Sequence, residues 1–68
     1  MQEIKLRDEF IKLGQALKAA DLVSSGVEAK IVVQDGQVKV NGEVDTRRGR
    51  KLVSGDVVTF DGKSVKIV

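Results

Sequence analysis

Four cationic side chains fall within six consecutive positions, in the stretch Thr46-Arg47-Arg48-Gly49-Arg50-Lys51. An arginine guanidinium is a planar fork of N–H donors that matches phosphate oxygens, and a glycine lets the backbone approach a ligand closely. Because strand patterns flank this stretch, we predict a loop that is held against a sheet and binds phosphate groups. The alternative is a solvated charged loop without a partner, since basic hexamers are common.

The positive charge of the chain is concentrated in its middle part. Residues 1–29 carry four cations and five anions, residues 30–51 carry six and three, and residues 52–68 carry two and two. The net charge of the 68 residues is only +2, but a local excess of this kind attracts polyanions. Three lysines could extend the patch, although each alone is typical of a solvated surface: Lys18, Lys30 and Lys39.

Catalytic chemistry has little support in the composition. His and Cys are absent, which excludes disulfides, thiol chemistry, histidine acid–base catalysis and nearly every zinc site. The Asp8-Glu9 pair has no His or Lys placed as its partner, and the glycines from Gly14 to Gly42 are too dispersed to cradle a phosphate. We therefore predict no catalytic residue, no metal ligand and no cofactor, so that an enzyme is the least expected class.

The aromatic content separates the kinds of nucleic-acid binder. Phe10 and Phe60 are the only aromatic residues, and both sit in hydrophobic patterns that predict core positions. Modules that recognise single strands stack bases on exposed aromatic rings, so a mode that recognises backbone or shape is favoured here. A DNA-binding helix-turn-helix is disfavoured because its second helix, at 26–35, would offer few polar groups and no arginine to the major groove.

Hydrophobic periodicity predicts a short strand followed by a helix. Ile4 and Leu6 alternate with charged residues, as in a half-buried strand. The spacing i, i+3, i+4, i+7 of a buried helical face is met by Leu13, Ala16, Leu17 and Ala20. The start of this helix is open: Asp8 could cap a long helix, but Gly14 would weaken its middle by about 1 kcal/mol relative to Ala.

A second helix is marked more clearly. Ser25 and Glu28 are spaced as in a capping box, and Gly36 is a natural stop, so we predict a helix at 26–35. The predicted apolar face consists of Val27 with Ile31, and of Ala29 with Val32 and Val33. A tight turn at Leu22-Val23-Ser24 would join the two helices.

The period changes to two after Gly36. Val38 and Val40 alternate with polar residues, and Asn41-Gly42 tolerates the positive φ of a hairpin turn. A strict two-residue turn would pair Val40 with Glu43 and direct Val44 outward. We therefore expect a longer loop or a bulge at this turn.

The last segment predicts a second hairpin. A two-residue turn at Asp61-Gly62 pairs Val58 with Val65 and leaves Phe60 and Ile67 on the same face. The order of elements predicts one α+β domain over residues 1–68, in which a short N-terminal strand and two short helices pack on a small, mainly antiparallel sheet.

Several strings of the sequence, taken together, resemble the alpha-L RNA-binding domain, which is named after the fourth small-subunit ribosomal protein. They are residues 24–30, residues 35–44 with the pattern G-x-V-x-V-N-G, and residues 55–58. The stretch from Thr46 to Leu52 resembles the short stand-alone bacterial subgroup, the YbcJ/YaaA-like proteins. The resemblance covers roughly residues 13–60.

The resemblance implies a domain in which the helix pair, the next strand and the loop form one basic surface that recognises folded RNA. By position it assigns to RNA binding Lys18, Ser25, Lys30, Lys39, Arg47, Arg48, Arg50 and Lys51. Many members carry Arg directly after the serine, where this chain has Gly26. The helix-borne part of the surface is therefore weaker, and Lys18, Lys30 and the arginine loop carry more of the binding.

The expected function is non-catalytic binding of structured RNA, either ribosomal RNA or a ribosome-associated particle, with ribosomal proteins as further partners. A protein-interaction module or adaptor with an acidic partner is the alternative, and a DNA binder is less favoured. No apolar run exceeds three residues and the first residues contain no signal-like core, so a cytoplasmic protein without membrane contact is expected. The oligomeric state is open, with a monomer favoured.

Overall fold

Two helices pack on one face of a five-stranded sheet, which is the predicted α+β architecture. The structure, a computed structural model, describes residues 1–68. Its elements are β1 (Gln2–Ile4), β2 (Ile11–Lys12), α1 (Leu13–Ala19), α2 (Gly26–Gln34), β3 (Val38–Val40), β4 (Glu43–Val44), β5 (Lys51–Leu52), β6 (Val57–Phe60) and β7 (Lys63–Ile67). The sheet order is β1-β7-β6-β3-β4, antiparallel except between β1 and β7, while β2 and β5 form a separate antiparallel pair.

The sequence left the start of helix α1 open, and the structure shows a short helix rather than a long one that starts near Asp8. It begins at Leu13, directly after Lys12, whose backbone N–H donates to Oε1 of Gln15 at 3.2 Å. Asp8 therefore lies outside the helix and does not cap it. All four residues of the predicted apolar stripe are buried, which confirms the period of this helix.

Helix α2 starts and stops as predicted. The Ser25 hydroxyl accepts a hydrogen bond from the Glu28 N–H at 3.1 Å, and Gly36 ends the segment with a φ of +77°. The reciprocal half of the cap is shifted by one residue, because the Glu28 carboxylate accepts from the Ser24 N–H at 2.6 Å. The expected face is only half correct, however. Ala29, Val32 and Val33 are buried, whereas Val27 and Ile31 are 69% and 59% exposed, since at 3.6 residues per turn they lie on the opposite side of the helix.

The hairpin between β3 and β4 contradicts the prediction of a longer loop or a bulge. Asn41 and Gly42 both have positive φ, the requirement of a two-residue type I′ turn, and Val40 pairs directly with Glu43. Val44 consequently points outward and is 55% exposed. The register is explained by the next residue, Asp45. Successive side chains of a strand point to opposite faces, so an outward Val44 directs Asp45 inward, where it is only 6% exposed.

The hairpin of β6 and β7 has the predicted register, with Val58 opposite Val65 across the turn at Asp61 and Gly62. Phe60 is half-buried and packs against the core. Phe10 does not: it is half-buried outside the core cluster, and the prediction of a core position for it is wrong. Neither helix is long and apolar enough to cross a membrane.

The register of the first hairpin makes a testable contrast between two valines. Val40→Ala removes buried methyl groups and should lower the free energy of unfolding by about 2 kcal/mol. Val44→Ala changes an exposed side chain and should cost less than about 0.5 kcal/mol. Urea denaturation followed by circular dichroism measures both values, and equal losses would contradict the two-residue turn.

Candidate nucleic-acid interface

An open groove lies where the helices meet the loop between β4 and β5, residues 45–50, called here the basic loop. The volume of the groove is about 680 Å³. Four cations and no acidic residue are among the lining side chains, which are Lys12, Gly14, Gln15, Lys18, Ser25, Gly26, Val27, Ala29, Lys30, Arg48 and Gly49. We call this feature the basic groove. This lining gives the groove a local positive charge, which attracts anions.

Helix α1 supplies one wall of the basic groove through residues spaced by three. Gln15 and Lys18 lie on the exposed side of α1, opposite the buried stripe that starts at Leu13, and Lys12 directly before the helix is exposed and lines the groove with them. The start of α2 supplies the facing wall with Ser25 and Lys30. Lys12 was missed by the sequence analysis, although its helical spacing to Lys18 is a signal that could have found it.

The basic loop lies between two strands as predicted, and Lys51 directly after it pairs with Lys12 in the small β2–β5 sheet, but its carbonyl oxygens are held by helix α1 rather than by a sheet. The Leu13 N–H donates to the carbonyl oxygen of Arg50 at 2.8 Å, and the Gly14 N–H donates to that of Arg48 at 3.0 Å. These two donors belong to the first turn of α1, where helical N–H groups have no partner inside the helix. The loop carbonyls therefore act as the cap of α1.

Gly14 permits this close approach. A Cβ atom at position 14 would lie 2.8 Å from Cγ of Arg48, which is too near for van der Waals contact. Gly14 is buried. The glycine that was expected only to destabilise the helix is therefore the position at which the basic loop packs on α1. The Arg48 side chain starts at this seat and lines the basic groove.

Asp45 organises the other two arginines of the loop. Its carboxylate accepts from Nε and Nη2 of Arg47 at 3.1 and 2.9 Å, and from Nη1 of Arg50 at 2.7 Å. It also accepts from the Arg47 backbone N–H at 2.9 Å. The hydrogen bonds from the Arg47 side chain are the main reason that the pKa of Asp45 lies far below its ordinary value, although burial opposes the shift. The same contact raises the pKa of Arg47.

The eight residues predicted to bind RNA fall into two groups in space. Four line the basic groove, namely Lys18, Ser25, Lys30 and Arg48. The other four lie outside its lining: Arg47 and Arg50 hold Asp45, Lys51 places its ammonium 4.8 Å from the centre of the Phe10 ring, and Lys39 lies on the sheet face that the helices do not cover. Lys39 is on that face because its neighbours Val38 and Val40 are buried in the core.

Besides Lys12, two residues that shape the site carried no functional prediction, namely Asp45 and Gly14. Asp45 stands two and five positions before the arginines that it binds, and an acid at that spacing is the signal that sequence reasoning passed over. Gly14 gave no such signal, because its neighbour in space is more than thirty positions away in the chain. No group of three or more acidic side chains is placed to hold a metal ion.

Comparison with known proteins agrees with this architecture. The S4 domain family matches residues 4–68. The solution structure of YbcJ from Escherichia coli, which revealed an alpha-L motif involved in RNA binding, superposes with a TM-score of 0.77 at 40% identity. The superposition covers all of this chain and 87% of that one.

Similarity to curated proteins extends over most of the chain. The probable ribosome maturation protein RlbA of Bacillus subtilis is 51% identical over 59 residues, which is 87% of this chain and 83% of that protein. YbcJ of Escherichia coli, a putative RNA-binding protein, is 45% identical over 58 residues, 85% of this chain and 83% of its own. The small ribosomal subunit protein uS4m of Schizosaccharomyces pombe is 41% identical over 54 residues, 79% of this chain but 16% of that protein.

The ionised carboxylate of Asp45 should make the stability of the fold depend on pH. Folding lowers its pKa, so its contribution is complete above the unfolded-state pKa of about 4 and is lost as the pH falls below that value. Asp45→Asn should therefore lower the melting temperature at pH 7, and the difference from the unsubstituted protein should shrink between about pH 4 and pH 2. Thermal melts across this range measure it, with Asp8→Asn as the exposed control. A difference that does not vary with pH would contradict the role of the charge.

Proposed function

Since the chain belongs to the S4 domain family, as its resemblance to the alpha-L domain predicts, we propose that it binds structured RNA through the basic groove. The observation that carries this proposal is the grouping of Lys12, Lys18, Lys30 and Arg48 around one groove that no acidic side chain lines. The role is one of binding rather than catalysis.

Binding rests on the neutralisation of phosphates by side chains on three separate segments. Lys12, at the end of β2, and Lys18, on α1, belong to one continuous segment, Lys30 comes from α2, and Arg48 comes from the basic loop. Backbone hydrogen bonds fix the loop to α1, so the backbone positions of Arg48 and of the residues on α1 are set relative to one another before RNA arrives. Because neither phenylalanine lines the basic groove, recognition depends on the shape and backbone of folded RNA rather than on stacked bases.

The proposed target is ribosomal RNA or a ribosome-associated particle. The names of two relatives support it, a probable ribosome maturation protein and a small ribosomal subunit protein. Ribosomal proteins are further proposed partners at such a site, and the proposed location is the cytoplasm. A protein-interaction module with an acidic partner is the alternative function.

The two lysines on the facing helices give the direct test. Lys18→Ala with Lys30→Ala should weaken binding to a folded ribosomal RNA hairpin by about tenfold, because two phosphate contacts are lost. The slope of log affinity against log salt should become shallower by about 1.4 to 1.8. A fluorescence anisotropy titration over a salt series measures both quantities, with single-stranded RNA and duplex DNA of matched length as competing probes.

A double variant at Lys63 and Lys66 is the matched control, since it removes the same charge from residues that do not line the basic groove. It should change the affinity by less than about twofold, and the salt slope only slightly. Equal losses from the two double variants, or equal weak binding of all three probes, would reduce the interaction to a general polycation effect. The search for a ligand would then turn to protein partners.

Gly26 offers a test by gain of binding. A Cβ at this position meets no atom within 4 Å, and its φ is not positive, so a larger side chain fits. Gly26→Arg restores the residue that the resemblance places there and should strengthen binding about threefold to tenfold, with a salt slope steeper by about 0.9. Gly26→Gln, measured in the same titration, separates the charge from the change in side-chain size. No gain from Gly26→Arg would place the RNA away from the start of α2.

A further inference from the structure

The guanidinium of Arg47 has two edges that can each donate a pair of hydrogen bonds to an oxyanion, and Asp45 occupies one of them. The carboxylate takes the Nε–H and one N–H of Nη2 in a two-bond contact. Nη1 and the second N–H of Nη2 make no hydrogen bond within the protein, so three donors remain, and one from each Nη nitrogen forms the outer edge. The Arg47 side chain is 70% exposed, which leaves this edge open to solvent.

We propose that Asp45 is a positioning residue for RNA binding, because it orients Arg47 so that the outer guanidinium edge meets a phosphate beside the basic groove. The proposal rests on the proposed function and deepens it. It assigns Arg47 a phosphate contact even though this residue does not line the basic groove. A carboxylate that holds one edge of a guanidinium leaves the charge and the planar fork of the other edge intact.

The contact between Asp45 and Arg47 reduces the conformational entropy that Arg47 would otherwise lose when RNA binds. A free arginine on a loop loses rotamer freedom when it grips a phosphate, and this loss weakens the complex. Here the side chain is fixed at two atoms by a carboxylate that is itself 5% exposed and is held in place by Arg50. The ordering occurs when the protein folds, not when the RNA binds.

Arg50 has a different part in the same arrangement. Its side chain is 31% exposed and donates to the Asp45 oxygen that also receives Nη2 of Arg47. Asp45 is thereby balanced by two cations, and the group as a whole keeps a net charge of +1. The two neighbouring guanidinium groups offset the negative charge of Asp45, so the three side chains together attract RNA.

The consequence runs against simple charge counting. Removal of an acid from a binder of polyanions ordinarily strengthens the complex. Asp45→Asn should instead weaken binding to the RNA hairpin about threefold to tenfold, because Arg47 loses its fixed orientation. Glu43→Gln is the matched control, because this substitution removes the same charge. Glu43 is exposed and takes no part in either ion pair. It should leave the affinity unchanged or strengthen it by up to about twofold.

The experiment measures Asp45→Asn and Glu43→Gln by anisotropy at constant salt, with the unsubstituted chain alongside, and repeats Asp45→Asn in an Arg47→Ala background. In that background Asp45→Asn should no longer weaken binding, because the residue that it positions is gone. Circular dichroism at the assay temperature verifies that each variant is folded. Should Asp45→Asn not fold, Arg47→Lys gives the answer: it keeps the charge, cannot form the two-bond contact, and should bind threefold to tenfold more weakly.

The outcomes separate the two proposals. If the unsubstituted chain binds none of the RNA probes, the proposed function fails and the role of Asp45 falls with it. If the unsubstituted chain binds but Asp45→Asn binds as well as Glu43→Gln, only the positioning role is overturned. Full affinity in Arg47→Lys, or a loss from Asp45→Asn that persists without Arg47, would also overturn it.

Discussion

The first turn of α1 and the basic loop each complete the other. A seven-residue helix is too short to persist alone in water, and its first N–H groups need acceptors. The loop has no strand partner of its own between β4 and β5, and its carbonyls need donors. The bonds from Leu13 and Gly14 to Arg50 and Arg48 meet both needs at once. The arrangement of the helices, the course of the loop and the walls of the basic groove all depend on this junction.

This junction also decides how the cations of the loop are used. Three arginines lie within four positions, and without fixed partners they would repel one another and sample many orientations. The buried carboxylate of Asp45 holds two of them, while Gly14 seats the third at the basic groove. A stretch that looks uniform in the sequence is therefore divided into arginines that shape the loop and an arginine that faces the groove.

Local patterns predicted most of the fold but not the junction. The stripe of α1, the limits of α2 and the register at Asp61-Gly62 follow from contacts close in sequence, and the structure confirms them. The prediction at Asn41-Gly42 failed because it weighed the exposure of Val44 and ignored the burial of Asp45, whose partners come later in the chain. The predicted burial of Val27 and Ile31 was wrong for a related reason. When a helix has apolar residues on two sides, its sequence does not show which side packs against the rest of the protein. Half of the candidate site could be predicted from charge and resemblance, whereas the rest required the packing of distant segments.

The parallel pairing of β1 with β7 brings the two ends of the described chain to the same sheet edge. Gln2 lies opposite Val65, Ile4 lies opposite Ile67, and the Val68 N–H donates to the Ile4 carbonyl oxygen at 2.8 Å. Because these two strands run in the same direction, the first and last residues lie at opposite ends of the strand pair, roughly four residues of strand rise apart. Strand β1 also covers the outer edge of β7, so a chain without β1 would expose a row of unpaired backbone groups on the longest strand of the sheet, where another chain could add a strand.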